Sequence, residues 1–167
     1  MITPDELRVE RTIYVDATPE AVYDSVSDIT RMGDISPMCT DGDWDEGAIG
    51  TIGDWFTGTN RVGDREWQTR SQVVAADRGR EFAFVVGGAE GGWVRWGYLI
   101  SPQRGGTDVT ETWQVLRIVP HMGETDEQLA ALRERTAVNL KETLDALRDM
   151  LTPMHLVHSL GDPTSGL

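Results

Sequence analysis

A single carboxylate among aromatic residues is the first feature of this sequence that points to chemistry. Glu111 lies in the alternating segment 108–119, and Trp113 shares its parity. Because successive side chains of a strand point to opposite faces, the two are expected to share one face. A buried carboxylate is costly unless it is paired or protonated. Glu111 could therefore bind a ligand hydroxyl or amine, act as a general acid or base with a raised pKa, or pair with Arg95 or Arg61.

Parity along the other alternating segments predicts which side chains accompany Glu111. The predicted interior has aromatic walls and a few polar groups, which is the usual composition of a small-molecule pocket. Its members are Phe56, Asn60, Trp67, Thr69, Ser71, Phe82, Phe84, Trp96, Tyr98, Glu111 and Trp113. Asn60 could orient a ligand carbonyl or support a turn by a hydrogen bond. The alternative for the whole set is a solid aromatic core, with Glu111 on a wet rim.

The other candidate groups carry weaker signals. His155 and His158 are three residues apart, but no acidic or thiolate partner accompanies them, so we expect no metal site. Cys39 is the only cysteine, which excludes an internal disulfide, and it has no neighbouring base. We interpret it as a small buried apolar residue. The glycines between Gly87 and Gly92 lack the phosphate-binding pattern and are expected to form a hairpin loop. No cofactor is expected.

A long helix that must position these side chains is predicted over residues 125–151. Thr125 and Gln128 form a T-x-x-Q capping box at its start. One apolar stripe then follows the helical period, so one face of the helix is expected to be buried. The stripe consists of Leu129, Leu132, Thr136, Leu140, Leu144, Leu147 and Leu151.

Seven predicted strands precede this helix, at residues 7–15, 43–46, 54–61, 65–76, 81–86, 93–101 and 108–119. Two short helices are expected between the first two strands, one begun by Thr18 and Pro19 and one over residues 29–32. The order predicts an α+β fold, in which a curved seven-stranded antiparallel sheet grips the C-terminal helix. Residues 1–152 are expected to form one domain, followed by a loosely ordered tail at 153–167.

Composition excludes several classes of function. The 167 residues include 15 Lys and Arg against 28 Asp and Glu, for a net charge of −13. Nucleic-acid binding needs clustered positive charge, so it is not expected. No segment has the 18 or so apolar residues of a membrane span, so stable membrane insertion is not expected either. Residues 1–11 are polar and resemble no secretory signal, and we expect a cytoplasmic protein, monomeric or homodimeric.

Six segments resemble the START-like, or helix-grip, superfamily, and in particular its SRPBCC polyketide cyclase/dehydrase branch. They are VDATPEAVY at 15–23, VSDI at 26–29, GDISP at 33–37, GTNR at 58–61, VAADRGREF at 74–82 and GTDVTETW at 106–113. The resemblance implies a hydrophobic ligand, such as a lipid or polyketide, between sheet and helix. Cyclases of this branch steer ring closure with an inward arginine and a tyrosine. Ser71 and a position near Cys39 stand where these are expected, which weakens the case for cyclase chemistry.

Three hypotheses for the function follow. The leading one is binding of a hydrophobic or aromatic small molecule, with Asn60 and Glu111 fixing its polar end and the long helix closing the pocket through Leu140, Thr143, Leu144 and Leu147. The second is a polyketide aromatase/cyclase or dehydratase with Glu111 as acid or base and Tyr98 or Asn60 polarising a carbonyl. The third is an interaction module without a ligand, which predicts a collapsed cavity and an exposed apolar patch.

Overall fold

A seven-stranded antiparallel sheet with the strand order β1-β7-β6-β5-β4-β3-β2 organises the protein. The structure is a computed structural model that describes residues 1–152. Strands β2 to β7 form a meander, and β1 joins beside β7, so that β1 and β2 are the two edges. The strands are β1 (Arg8–Val15), β2 (Cys39–Trp44), β3 (Trp55–Val62), β4 (Arg65–Asp77), β5 (Glu81–Val86), β6 (Val94–Gln103) and β7 (Gly106–Val115).

The helices begin where the capping residues predict. Helix α1 (Pro19–Ser27) starts after Thr18, whose side chain accepts a hydrogen bond from the backbone N–H of Ala21. Helix α2 (Asp126–Leu151) starts after Thr125, with both hydrogen bonds of the capping box formed. Three 3-10 helices occupy Pro4–Glu6, Ile29–Asp34 and Pro120–Met122.

The apolar stripe of α2 is the main contact between helix and sheet. Leu140, Leu144 and Leu147 are fully buried, and α2 packs against β1 and β7. The segment from α1 to the 3-10 helix Ile29–Asp34 covers other parts of the sheet, with the 3-10 helix packed on β2. The predicted α+β class, the seven strands, the two short helices after β1 and the long C-terminal helix are therefore confirmed.

The predicted start of β2 is wrong, since the strand begins at Cys39 and not at residue 43. The Asp41-Gly42 pair suggested a turn, but Gly42 lies inside the strand, opposite Gly58. A Cβ atom at Gly42 would lie 2.3 Å from the carbonyl oxygen of Ile29. This glycine therefore permits the 3-10 helix to approach the sheet closely, and its role depends on a contact between distant residues.

The 3-10 helix Ile29–Asp34 extends two residues beyond the predicted end at residue 32. Strand β7 covers residues 106–115, where 108–119 was predicted. Within residues 1–152, none of the helices has both the length and the apolar character that a membrane crossing requires. The tail predicted at 153–167 lies outside the described residues.

We predict that Leu144→Ala destabilises the protein by about 3 kcal/mol, because it leaves a cavity between α2 and the sheet. Leu144 is fully buried, whereas Val138 on the same helix is 56% exposed. Val138→Ala is the matched control and should change the free energy of unfolding by less than about 0.5 kcal/mol. Urea denaturation measures both. Equal effects of the two substitutions would contradict the buried position of Leu144.

Candidate functional site

A cavity lies between α2, the inward face of strands β3 to β7, and the segment from Val26 to Cys39. Its volume is about 140 Å³. An engineered apolar cavity of about 150 Å³ in another protein binds benzene, so there is room here for one aromatic ring. The interior between sheet and helix is therefore not a solid core.

Most of the predicted pocket residues lie on the wall of this cavity. The sheet contributes the side chains that share the inward parity of β3, β4, β5, β6 and β7, and α2 contributes Leu140, with Asn139 and Thr143 beside it. The predicted residues found on the wall are Phe56, Asn60, Trp67, Thr69, Ser71, Phe84, Trp96, Tyr98, Glu111 and Leu140. Their contact with a ligand stays a prediction.

Four residues of the predicted interior are not on the wall of this cavity, so their predicted place there is wrong: Phe82, Trp113, Leu144 and Leu147. Trp113 is paired with Val9 of the edge strand β1, is 3% exposed, and lies 6.5 Å from the ring of Trp96. Leu144 follows Leu140 by one helical turn and is fully buried. Both side chains pack in the core, since α2 lies directly on β1 and β7 there.

The segment that precedes β2 forms a part of the wall that sequence reasoning missed. Its 3-10 helix and the extended residues after it have no long side-chain period, so parity could not assign their faces. The hydroxyl oxygen of Ser36 accepts hydrogen bonds from the backbone N–H groups of Met38 (3.2 Å) and Cys39 (2.9 Å). The wall residues from this segment are Val26, Met32, Ile35, Ser36, Pro37, Met38 and Cys39.

Cys39 is half-buried on the cavity wall and not fully buried as expected. It lies at an irregularity where β2 shifts its pairing with β3 between Cys39 and Asp41. Its Sγ donates a hydrogen bond to the carbonyl oxygen of Asp41 at 3.3 Å. Burial raises the pKa of the thiol, so the side chain is held in its neutral form.

Glu111 is the most unusual group on the wall. It lies in β7 directly opposite Tyr98 of β6 and is only 5% exposed. The Tyr98 hydroxyl donates a hydrogen bond to Oε1 of Glu111 at 3.3 Å. Oε2 of Glu111 is buried and has no hydrogen-bond partner among the described residues. Such an oxygen is costly to bury, which marks the place where a ligand could supply the missing bond.

The ion pairs that the sequence offered to Glu111 do not form. Arg95 pairs with Glu81, with 3.3 Å between Nη2 and Oε2. Arg61 lies near Glu66, with 3.9 Å between the closest charged atoms. Neither arginine reaches the buried carboxyl, because Arg95 and Arg61 lie on the opposite parity of their strands and so on the outer face of the sheet.

Burial raises the pKa of the Glu111 carboxyl from 4.5 to about 8, and the hydrogen bond from Tyr98 offsets part of this rise. Burial and the nearby Glu111 also raise the pKa of the Tyr98 hydroxyl well above its usual value. At neutral pH the carboxyl is therefore mostly protonated and the tyrosine fully so. The pair can therefore donate and accept hydrogen bonds without a free charge in the cavity.

Asn60 provides a second polar point on the wall. It is buried in β3, and its Nδ2 donates a hydrogen bond to Oγ1 of Thr69 in β4 at 3.4 Å. This bond joins neighbouring strands and does not support a turn. His155 and His158 lie outside the described residues, so the expectation that they bind no metal stays a prediction.

Comparison with solved structures finds the same fold in proteins of several origins. The Polyketide_cyc-like protein Cgl2372 from Corynebacterium glutamicum is 31% identical, with 96% of this chain and 98% of that chain covered and a TM-score of 0.62. The di-domain ARO/CYC StfQ from the steffimycin biosynthetic pathway is 15% identical, with 87% of this chain and 50% of that chain covered and a TM-score of 0.70. Ginseng major latex-like protein 151 from Panax ginseng is 12% identical, with 87% and 97% covered and a TM-score of 0.62.

The sequence comparisons identify the family. A search of curated protein sequences gave no match. A family profile described as "Polyketide cyclase / dehydrase and lipid transport" matches residues 6–151, which include every strand and both helices. The match agrees with the 31% identity to Cgl2372 over nearly the whole of both chains. The chain therefore belongs to the polyketide cyclase/dehydrase and lipid transport family.

Proposed function

We propose that this protein binds a hydrophobic or aromatic small molecule in the cavity between sheet and α2. The observation that carries the proposal is the hollow itself, since the aromatic and aliphatic side chains around it leave room for a ring and do not fill it. A mostly apolar wall with a few polar groups is the usual form of a small-molecule site. Membership of a family that includes lipid transport supports the same conclusion.

The ligand would lie with its ring against the sheet and its polar group towards β6 and β7. Trp67 and Trp96 are the half-buried aromatic side chains on the wall. Glu111 and Tyr98 supply a carboxyl and a hydroxyl about one hydrogen bond apart, and Asn60 adds an amide. The wall would thus offer a ligand two places for a hydrogen bond, one at Glu111 and Tyr98 on β7 and β6 and one at Asn60 on β3, opposite Trp67.

The volume limits the size of the ligand. About 140 Å³ corresponds to one ring, whereas a folded polyketide chain or a sterol occupies several times that space. A ligand of that size requires the wall to open. The third hypothesis, a module without a ligand, predicted a collapsed cavity and has less support for that reason. A cytoplasmic location and a monomeric or homodimeric state remain part of the proposal.

An aromatase/cyclase or dehydratase activity is the second candidate, and the state of Glu111 favours it. A carboxyl with a pKa of about 8 is suited to exchange protons near neutral pH. Tyr98 donates to the same carboxyl and could polarise a substrate carbonyl next to it. Ser71 occupies the wall where cyclases of the branch are expected to place an arginine, so this chemistry would depend on Glu111.

We predict that ligand binding is lost when the cavity is filled. Thr69 is on the wall, opposite Gly58, and Thr69→Phe would place a ring in the hollow. Gln68→Phe places the same ring on the outer face of β4 and is the matched control. Tryptophan fluorescence, with a panel of monocyclic aromatics, fatty acids, sterols and polyketides, measures binding to both variants and to the unaltered protein.

The unaltered protein and Gln68→Phe should show a saturable change in fluorescence with some members of the panel, whereas Thr69→Phe should not. Binding to Thr69→Phe with unchanged affinity would show that the ligand lies elsewhere. The absence of any response in the unaltered protein, checked by calorimetry, would remove the proposal.

For the enzymatic candidate, we predict that Glu111→Gln still binds ligand but loses turnover by about 100-fold or more, because the amide cannot exchange a proton. The measurement is a comparison of binding affinity and product formation with a polyketide-like substrate. Glu66→Gln, at an exposed glutamate on the outer face, is the control. Unchanged turnover in Glu111→Gln would exclude Glu111 as acid or base.

The raised pKa of Glu111 also predicts how stability depends on pH. The carboxyl titrates near 4.5 when unfolded and near 8 when folded. Between these values the folded state holds a proton that the unfolded state has lost, so stability should fall by up to about 1.4 kcal/mol per pH unit. The contribution of Glu111 to the free energy of unfolding is fully present below pH 4.5 and is lost above pH 8.

The stability difference between the unaltered protein and Glu111→Gln isolates this contribution, because all other groups are shared. In urea denaturation from pH 5 to pH 9, the free energy of unfolding of Glu111→Gln should rise relative to that of the unaltered protein as pH rises. That of Glu66→Gln should show no such relative rise. A constant difference across the range would mean that Glu111 is ionised in the folded protein.

A further inference from the structure

The ionisable groups on the cavity wall are all acids. Glu111, Tyr98 and Cys39 line the cavity, and each is either neutral or negatively charged. Within the described residues, the wall contains no lysine, arginine or histidine. Arg61 and Arg95 lie on the outer face beside Glu66 and Glu81. Arg11, the partner of Glu111 in β1, is exposed and donates a hydrogen bond to the carbonyl oxygen of Glu10. The described part of the wall therefore offers no positive charge to a ligand.

An anionic ligand would find no partner in this cavity. A carboxylate or phosphate that enters it gives up its hydration and comes close to Glu111. A buried charge without a counter-charge is strongly unfavourable. A free fatty acid or an aromatic acid should therefore bind poorly, although its apolar part could fit.

A ligand that donates a hydrogen bond does find a partner on the cavity wall. Oε2 of Glu111 is buried without a partner, while Oε1 accepts one hydrogen bond from Tyr98. The terminal torsion of a glutamate is broad, so the carboxyl can present either oxygen to the cavity. A ligand hydroxyl can satisfy the unpaired oxygen in either protonation state, since a hydroxyl both donates and accepts, and a ligand ammonium can pair with the ionised carboxylate. Either bond removes a penalty present in the empty site.

We infer that the cavity selects small ring compounds that carry a hydroxyl or amine donor, with that donor bonded to Glu111, and rejects the corresponding carboxylates. The inference rests on the proposed function and names the ligand class for the same site. It depends on three observations together: the size of the hollow, the absence of a cation on the described wall, and the unpaired oxygen of Glu111.

The test uses four compounds with a phenyl ring and nearly equal size: benzyl alcohol, benzylamine, ethylbenzene and benzoate. Their affinities are measured at pH 7 by tryptophan fluorescence and confirmed by calorimetry. Benzyl alcohol or benzylamine should bind about tenfold more tightly than ethylbenzene, because only they bond to the carboxyl. Benzoate should bind more weakly than ethylbenzene. The comparison of benzyl alcohol with benzylamine distinguishes a neutral hydrogen-bond donor from a charged one.

Variants assign the selectivity to one side chain. In Glu111→Gln the affinity for benzylamine should fall about tenfold, since an amide cannot ionise to pair with the ammonium, and benzoate should still bind more weakly than ethylbenzene. Benzyl alcohol should keep most of its affinity, because the amide oxygen can still accept its hydrogen bond. Glu66→Gln removes one negative charge from the outer face and should leave all four affinities unchanged.

The outcomes separate this inference from the proposed function. The selectivity would be overturned if ethylbenzene bound as tightly as both benzyl alcohol and benzylamine, or if benzoate bound as tightly as benzyl alcohol. The site would then be a non-selective apolar cavity. If Glu111→Gln and the unaltered protein ranked the four affinities in the same order, Glu111 would not determine the selectivity. The failure of all four compounds to bind would overturn the proposed function, and the inference with it.

Discussion

The position of Glu111 between two paired strands is the constraint on which the site depends. Strand β7 lies between β1 and β6, and residue 111 is paired with Arg11 on one side and Tyr98 on the other. Its backbone cannot shift by one residue without turning Thr110 and Thr112 into the core. The carboxyl is therefore kept inside the protein, where protonation and the bond from Tyr98 are the means of avoiding a free buried charge.

The same strand joins a solid region and a hollow one. At Trp113 and the neighbouring edge strand β1, α2 packs directly on the sheet and the side chains fill the space. At Glu111 and towards β3, the segment before β2 joins α2 in covering the sheet, and the hollow remains. The hollow is bordered by the core itself, since Phe56, Phe84 and Leu140 on its wall belong to the same buried cluster as Trp113 and Leu144.

The prediction from sequence was accurate where a regular period carried the information. Parity placed Glu111, Tyr98, Trp67 and Phe84 on the inward face, and the capping box at Thr125 gave the start of α2. The prediction from sequence failed where distant parts of the chain approach each other. The Asp41-Gly42 pair resembles a turn, but its glycine makes room for the carbonyl of Ile29, and no local pattern indicates that contact.

The sequence by itself determined which side chains face inward, because the alternation of a strand and the stripe of a helix are properties of the local chain. Only the tertiary structure decided which of these side chains surround a hollow. Leu140 lies on the wall, and Leu144, one turn later, lies in the core, although the two residues are equivalent in sequence pattern. The difference comes from what packs opposite each turn of α2, and that depends on the path of residues 26–39 across the sheet.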